Sequence, residues 1–166
     1  MELFLVRHAH ALPEGAGGAR NDAERPLSAE GRARFTAAVR TLRTLGVRLA
    51  RIEHSPLLRA VQTAELLAPL ADGPMVVNDA LNAAPDKRLL AGLETDRTAL
   101  VGHEPYMSQL LALLAFGKER AGSGVRFAKG GVARLAGEPE RGGMQLCALW
   151  PARTLALLAA NEPPRS

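Results

Sequence analysis

The stretch Glu2-Leu3-Phe4-Leu5-Val6-Arg7-His8-Ala9 decides how the rest of the chain is read. Leu3 to Val6 run without a polar break and stop against an arginine and a histidine, after which small residues, Gly and Pro follow. An apolar run bounded in this way reads as a short buried strand leading into a loop. Arg7 and His8 therefore fall where a core strand ends. Charge taken out of water is costly unless something pairs with it, so a partner is expected elsewhere in the chain.

The pattern recurs. "RIEH" (51–54) reads as a short strand, with Ser55-Pro56 as N-cap and first position of a helix to about 71 whose Leu57, Val61, Ala64 and Ala68 share a face. "TALVG" (98–102) is a strand that meets His103, Glu104 and a helix opened by Pro105, carrying Met107, Leu110, Leu111 and Leu114. Ser28 is the N-cap of a helix to about 45, with Phe35, Ala38, Leu42 and Leu45 on one face and Gly46 as its stop. "MVV" (75–77) is a strand and 86–93 a short helix, whereas 9–27 is a long loop of the kind that is usually functional or mobile. "GVARLAG" and "MQLCALW" form an antiparallel hairpin near the end, with Cys147 and Trp150 expected to pack inward. Strands alternating with helices predict an α/β fold. It is a single-domain three-layer sandwich, with a mostly parallel central sheet, helices on both faces and a C-terminal antiparallel hairpin. One domain is expected over residues 1–160, with 161–166 a flexible tail.

Composition narrows the function classes. The 166 residues are 47% hydrophobic and 23% charged, the balance of an ordinary globular protein. The single cysteine rules out an intrachain disulfide, no leader-like segment opens the chain, and the apolar run near 110–116 is too short for a membrane span. The expectation is a cytoplasmic protein with no membrane partner. A net charge of +4 would suit nucleic acid, but the arginines are scattered among acidic residues and aromatics make up only 4%. No nucleic-acid partner is expected, though a basic balance helps attract an anionic substrate.

Sheets of this kind bind ligands outside the carboxyl ends of their strands. That rule gathers Arg7 and His8, Arg59 from "HSPLLRA", and His103 from "VGHEP" at one edge. Only Glu104 is acidic within these motifs, so the expected partner is a bound anion. Guanidinium forks suit phosphoryl oxygens. Helix N-termini at Ser55-Pro56 and Glu104-Pro105 would aim backbone N–H groups at the same spot. A neutral histidine is a competent nucleophile toward phosphorus, and a second one can stabilise charge during transfer. No P-loop is present, and no carboxylate cluster with ligand spacing accompanies the histidines, so neither a metal nor another cofactor is expected.

"LVRHA", "RPLSAEGRARF", "HSPLLRAVQTAE" and "LVGHEP" occur in the order and spacing seen in the histidine phosphatase (phosphoglycerate mutase-like) superfamily, which the chain resembles over roughly residues 2–115. The short length and "RPLS..G" resemble most its SixA-type phosphohistidine phosphatases. The resemblance implies a hydrolase acting through a phosphohistidine intermediate. His8 would be the phosphorylated nucleophile, Arg7 and Arg59 the phosphate clamp, and His103 the second pocket histidine. Its substrate would be a phosphorylated molecule, with a histidine-phosphorylated phosphotransfer protein as the favoured partner. A small-metabolite phosphomonoesterase, or a binding module without turnover, are the rival readings.

Two departures stand out. The family's Arg-His-Gly is Arg-His-Ala here, tolerable if Ala9 avoids positive φ. Larger members carry a glutamate acid after the third strand, where this chain has Ala83 and Ala84; Asp79 and Asp86 are substitutes that fit poorly. A missing acid suits phosphohistidine, whose ring can already carry the proton when the P–N bond breaks. Arg25, in the long loop, is expected either at the substrate or in an ion pair with Asp22 or Glu24. His10 and His54 are expected at the rim or behind the site, or else simply at the surface.

Overall fold

The computed structural model describes residues 1–160, so the tail expected at 161–166 lies outside the described residues. Strand β1 (Glu2–Arg7) pairs in parallel with β4 (Thr98–Gly102), which pairs in parallel with β2 (Arg51–His54), and β2 with β3 (Met75–Val77). On the other side of β1 lie the antiparallel strands β5 (Val132–Gly137) and β6 (Met144–Trp150), giving the order β3-β2-β4-β1-β5-β6. This is the expected mixed sheet with its C-terminal hairpin. Every residue of β4 is buried, as is usual for a parallel strand covered on both faces.

Helices α1 (Ala29–Thr44), α2 (Leu58–Leu67) and α5 (Ala152–Ala160) supply one core layer, with Phe4, Val6, Phe35, Leu42, Ile52, Leu67 and Leu155. The opposite layer joins Leu3, Leu5, Leu100 and Leu135 to α3 (Lys87–Ala91) and α4 (Tyr106–Phe116). Side-chain alternation along β1 sends Leu3 and Leu5 to one core and Phe4 and Val6 to the other. Ser28 caps α1 by accepting from the Gly31 N–H at 2.9 Å, and Gly46 at φ 79 ends that segment.

Three elements differ from expectation. Helix α2 starts at Leu58 rather than Pro56, because Ser55 stays buried with its N–H bonded to the Val101 carbonyl, extending the β2–β4 pairing by one residue. Cys147 is exposed, not core: the β5–β6 register skips between Leu146 and Ala148, and Cys147 is the extra residue of that bulge. Helix α5 was not anticipated. It packs on α1, where the Thr41 hydroxyl donates to the Leu155 carbonyl at 2.7 Å.

Gly31 explains the glycine of "RPLSAEG". A Cβ there would overlap the His10 carbonyl oxygen, which already accepts from the Ser28 N–H at 2.9 Å. The first turn of α1 thus lies directly on the loop leaving β1. Gly31→Ala is expected to push that loop away, lowering thermal stability and activity together, whereas Ala33→Gly on the exposed face of α1 should cost only about 1 kcal/mol of helix propensity and leave activity alone. Melting curves and turnover of the two variants check this.

Candidate active site

The sheet register builds the site. Arg7 is paired with Gly102, so the next residues, His8 and His103, leave the sheet side by side, and the His8 N–H donates to the Gly102 carbonyl at 3.0 Å. Their ring centroids lie 5.1 Å apart with planes tilted by 48°. Ser55 follows β2 at the same edge, and its hydroxyl meets His103 Nε2 at 2.7 Å. Arg59, the second residue of α2, reaches the pocket from the neighbouring helix, while Thr63 ties that helix to the loop: its hydroxyl accepts from the Ala9 N–H at 3.0 Å and donates to the Arg59 carbonyl at 2.6 Å. His8, Arg59 and His103 are each 6% exposed. The four residues expected at one edge are brought together there.

Protonation follows from the partners. His8 Nδ1 lies 2.7 Å from the Ala9 carbonyl oxygen, which only accepts, so Nδ1 carries the proton. Burial, with the His103, Arg59 and Arg7 charges outweighing the Ala9 bond, pulls the His8 pKa down to about 3. The ring is neutral at physiological pH and Nε2 holds a free lone pair. His103 is brought down to about 4, by burial first and the Arg59 guanidinium second, against the opposing pull of Asp22. Ser55 Oγ also accepts from the Leu57 N–H at 3.3 Å. Its own proton is thereby free to go to His103 Nε2, leaving Nδ1–H for an incoming group. Among the described residues that Nδ1 is buried without a partner, as are Arg7 Nε and Arg59 Nε. Three buried donors of this kind are the set that suits the oxygens of a bound anion.

The arginines are not idle: the chain itself supplies partners for both, where the motifs alone pointed to a bound anion. Arg7 donates through Nη1 to the Phe127 carbonyl at 2.8 Å, and burial lowers its pKa. Arg59 donates through Nη1 to the Asp22 carbonyl at 2.8 Å and through Nη2 to the Asp22 carboxylate at 2.9 Å. Asp22 also binds Arg25, so Arg25 stands at the site's edge in an ion pair, one of its two expected settings. Burial pushes the Asp22 carboxyl up, but Arg59 and Arg25 outweigh it and hold it below its ordinary value. Asp22 thus occupies part of the fork that a phosphoryl group would use. Asp22→Asn is expected to tighten inhibition by orthovanadate about three- to tenfold, measured as an inhibition constant.

The remaining candidates separate clearly. His54 is buried, with Nδ1 2.9 Å from the Ser55 carbonyl, behind the residue that holds His103. His10 is exposed on the rim, 3.3 Å from the Ser28 hydroxyl. Asp86 caps α3 through the Leu89 N–H at 2.8 Å, and Asp79 is exposed in a short 3-10 turn, Asp79–Asn82. Neither figures among the charges acting on the two histidines. Ala9 avoids positive φ, so alanine replaces glycine there without strain. The helix N-termini contribute less than expected: α2 begins too late, and the early N–H groups of α4 are taken by the His103 carbonyl and the Glu104 carboxylate.

Sequence reasoning missed Asp22 as the partner of Arg59, Ser55 as the partner of His103, and the segment Phe127–Gly131. That segment wraps the end of β1: Gly130 N–H donates to the Arg7 and His8 carbonyls at 3.1 and 2.9 Å, and Gly131 accepts from Arg7 N–H at 3.2 Å. Its signal was present in the topology, since an antiparallel strand beside β1 must begin at the edge where β1 ends.

Two buried neutral histidines make stability pH-dependent. In the unfolded chain each titrates near 6.5, in the folded chain near 3 and 4, so between these values the unfolded state binds more protons and stability rises with pH. Stability is full above about pH 6.5 and is expected to fall by about 2 kcal/mol per histidine at pH 5. Urea unfolding at both pH values checks this, and His8→Gln should remove about half of the difference.

A family model for the histidine phosphatase superfamily (branch 1) matches residues 3–84. An uncharacterized protein of Picosynechococcus sp. is 31% identical over 152 residues, covering 81% of this chain and 84% of that protein. Among solved structures, the protein histidine phosphatase SixA complexed with tungstate superposes with a TM-score of 0.78 at 23% identity, over 93% of this chain and 99% of that one. A mycobacterial glucosyl-3-phosphoglycerate phosphatase complexed with VO3 gives 0.64 at 19% identity, over 89% and 97%. At such identities the structures establish a shared fold. Among the described residues no helix is long and apolar enough to cross a membrane. The chain is a phosphatase, and it belongs to the histidine phosphatase superfamily.

Proposed function

We propose that this chain hydrolyses protein phosphohistidine through a phosphoenzyme on His8. The observation that carries the mechanism is the His8 Nδ1 to Ala9 carbonyl bond, which commits the neutral ring to presenting Nε2. Arg7 Nε, Arg59 Nε and His103 Nδ1 hold the phosphoryl oxygens as charge shifts among them. His8 Nε2 forms a bond to phosphorus as the substrate's P–N bond breaks and its electron pair returns to the protonated substrate ring. Water then forms a P–O bond as the His8 N–P bond breaks, releasing phosphate and a proton to solvent and restoring the Nε2 lone pair.

The choice of phosphohistidine rests on there being no placed proton donor among the described residues. No carboxylate figures among the groups acting on His8, and Asp22, which acts on His103, is kept ionised by two arginines. The likeness in fold to SixA, a protein histidine phosphatase, supports the same reading. Rapid quenching with a phosphohistidine-bearing carrier protein tests it. The expected result is acid-labile, base-stable phosphate mapped to His8, with free phosphate accumulating afterwards. A carrier left untouched, with a sugar phosphate turned over instead, would replace this substrate class by a small metabolite.

A further inference from the structure

One cation at the pocket mouth has no part in the mechanism above. Lys129 precedes Gly130, whose N–H is anchored to the Arg7 and His8 carbonyls, so its backbone is fixed against the nucleophile's own strand end. The side chain is exposed at the rim and forms no ion pair among the described residues. The charges acting on it are Arg7, Arg25 and Arg59, all cationic, and they reinforce burial in lowering its pKa. A lysine held against three arginines with no carboxylate of its own is maintained at some electrostatic cost. An arriving anion would relieve that cost.

The transferred phosphoryl group already has its own donors. The buried donors without partners belong to Arg7, Arg59 and His103, deep in the pocket, and they suffice for the phosphoryl oxygens. Lys129 instead shares a shallow cleft with Ala9, His10, Gly31, Arg34 and Gly130, beside the residue that follows the nucleophile and over the start of α1. Within that cleft Arg34 is already paired with Glu30. Among the described residues Lys129 is left as the charge of that cleft without an ion pair, next to the phosphoryl cradle.

We propose that Lys129 is a specificity-determining residue that binds a carboxylate carried by the substrate beside its phosphoryl group. This rests on the reading of the pocket as a phosphoryl site, but not on the identity of the leaving group. On a protein substrate the carboxylate is an acidic side chain flanking the phosphorylated residue. On a small substrate it is part of the same molecule.

Calorimetric binding in the His8→Ala background separates this from the question of turnover. The probes are ethyl phosphate and a short series of carboxyalkyl phosphates with two to four carbons. With Lys129 present, the best carboxyalkyl phosphate is expected to bind about tenfold more tightly than ethyl phosphate. Lys129→Gln should reduce that preference to under about twofold while leaving ethyl phosphate unchanged, and Lys129→Arg should retain most of it. Equal affinity for the two kinds of probe with Lys129 present, or an equal loss for both in Lys129→Gln, would overturn the proposal. The second result would place Lys129 on the phosphoryl group itself. Failure of the phosphohistidine carrier to label His8 would leave these binding results standing, so the two proposals fail separately.

Discussion

His8→Ala is expected to lower turnover by at least about a thousandfold while the protein still folds. The size of the effect follows from the lack of a substitute. His103 is the nearest nitrogen base, but its Nε2 is engaged by Ser55 and its Nδ1 carries the proton in the tautomer that Ser55 favours. The nearby hydroxyls are also committed, Ser55 to His103 and Leu57, and Thr63 to Ala9 and Arg59. Water could attack a phosphoryl group held by the remaining donors, so residual activity from binding alone should persist at a low level. The fold should survive because β1 is fixed by backbone pairing to β4 and β5, which does not involve the His8 ring. Steady-state turnover with phosphoramidate and a far-ultraviolet melting curve measure both halves. Activity within tenfold of the parent would remove His8 as nucleophile.

The legible part of this site was the part written in strand ends. Apolar runs broken by Arg7-His8 and by His103, with the short strand RIEH before Ser55, gave both the sheet and the edge where function gathers, because a buried strand must surface at its carboxyl end. Arg59 was legible only through its motif, since nothing in its own helix distinguishes it from a solvated arginine. Asp22 was harder. A carboxylate in a loop of no period gives no hint that it will cross 37 residues of sequence to pair with Arg59. The Phe127 carbonyl carries no sequence signal at all, because any residue could supply it. Ser55 was read as a helix cap because Ser-Pro is a strong local signal. Tertiary pairing with β4 overrode that signal and turned the hydroxyl toward His103. Cys147 failed for a similar reason: strand alternation predicts its face only in the absence of a bulge.

The second large effect concerns the leaving group. Cleaving an alkyl phosphate requires a proton for the departing alkoxide, and a positioned general acid supplies about a hundred- to ten-thousandfold in rate. Asp79 is exposed, Asp86 caps α3, and Glu104 spends both carboxylate oxygens on Ser108, at 3.1 Å to its N–H and 2.6 Å to its hydroxyl. Asp22 faces the pocket, yet Arg59 and Arg25 hold its carboxyl below the ordinary range, which leaves it without a proton to give at neutral pH. A phosphoramidate nitrogen is already protonated when the P–N bond breaks, and a phosphohistidine ring already carries its proton on the other ring nitrogen, so neither substrate loses anything by the lack of an acid. The ratio of kcat/KM for phosphoramidate over ethyl phosphate is therefore expected to reach at least about a thousand. Asp22→Asn should leave phosphoramidate turnover within about threefold, because no proton passes through that carboxylate. A ratio near unity that rose sharply in Asp22→Asn would identify Asp22 as the acid. The two arginines would then be a device that surrenders Asp22 when the phosphoryl group takes their forks, and the site would be fitted to phosphate esters.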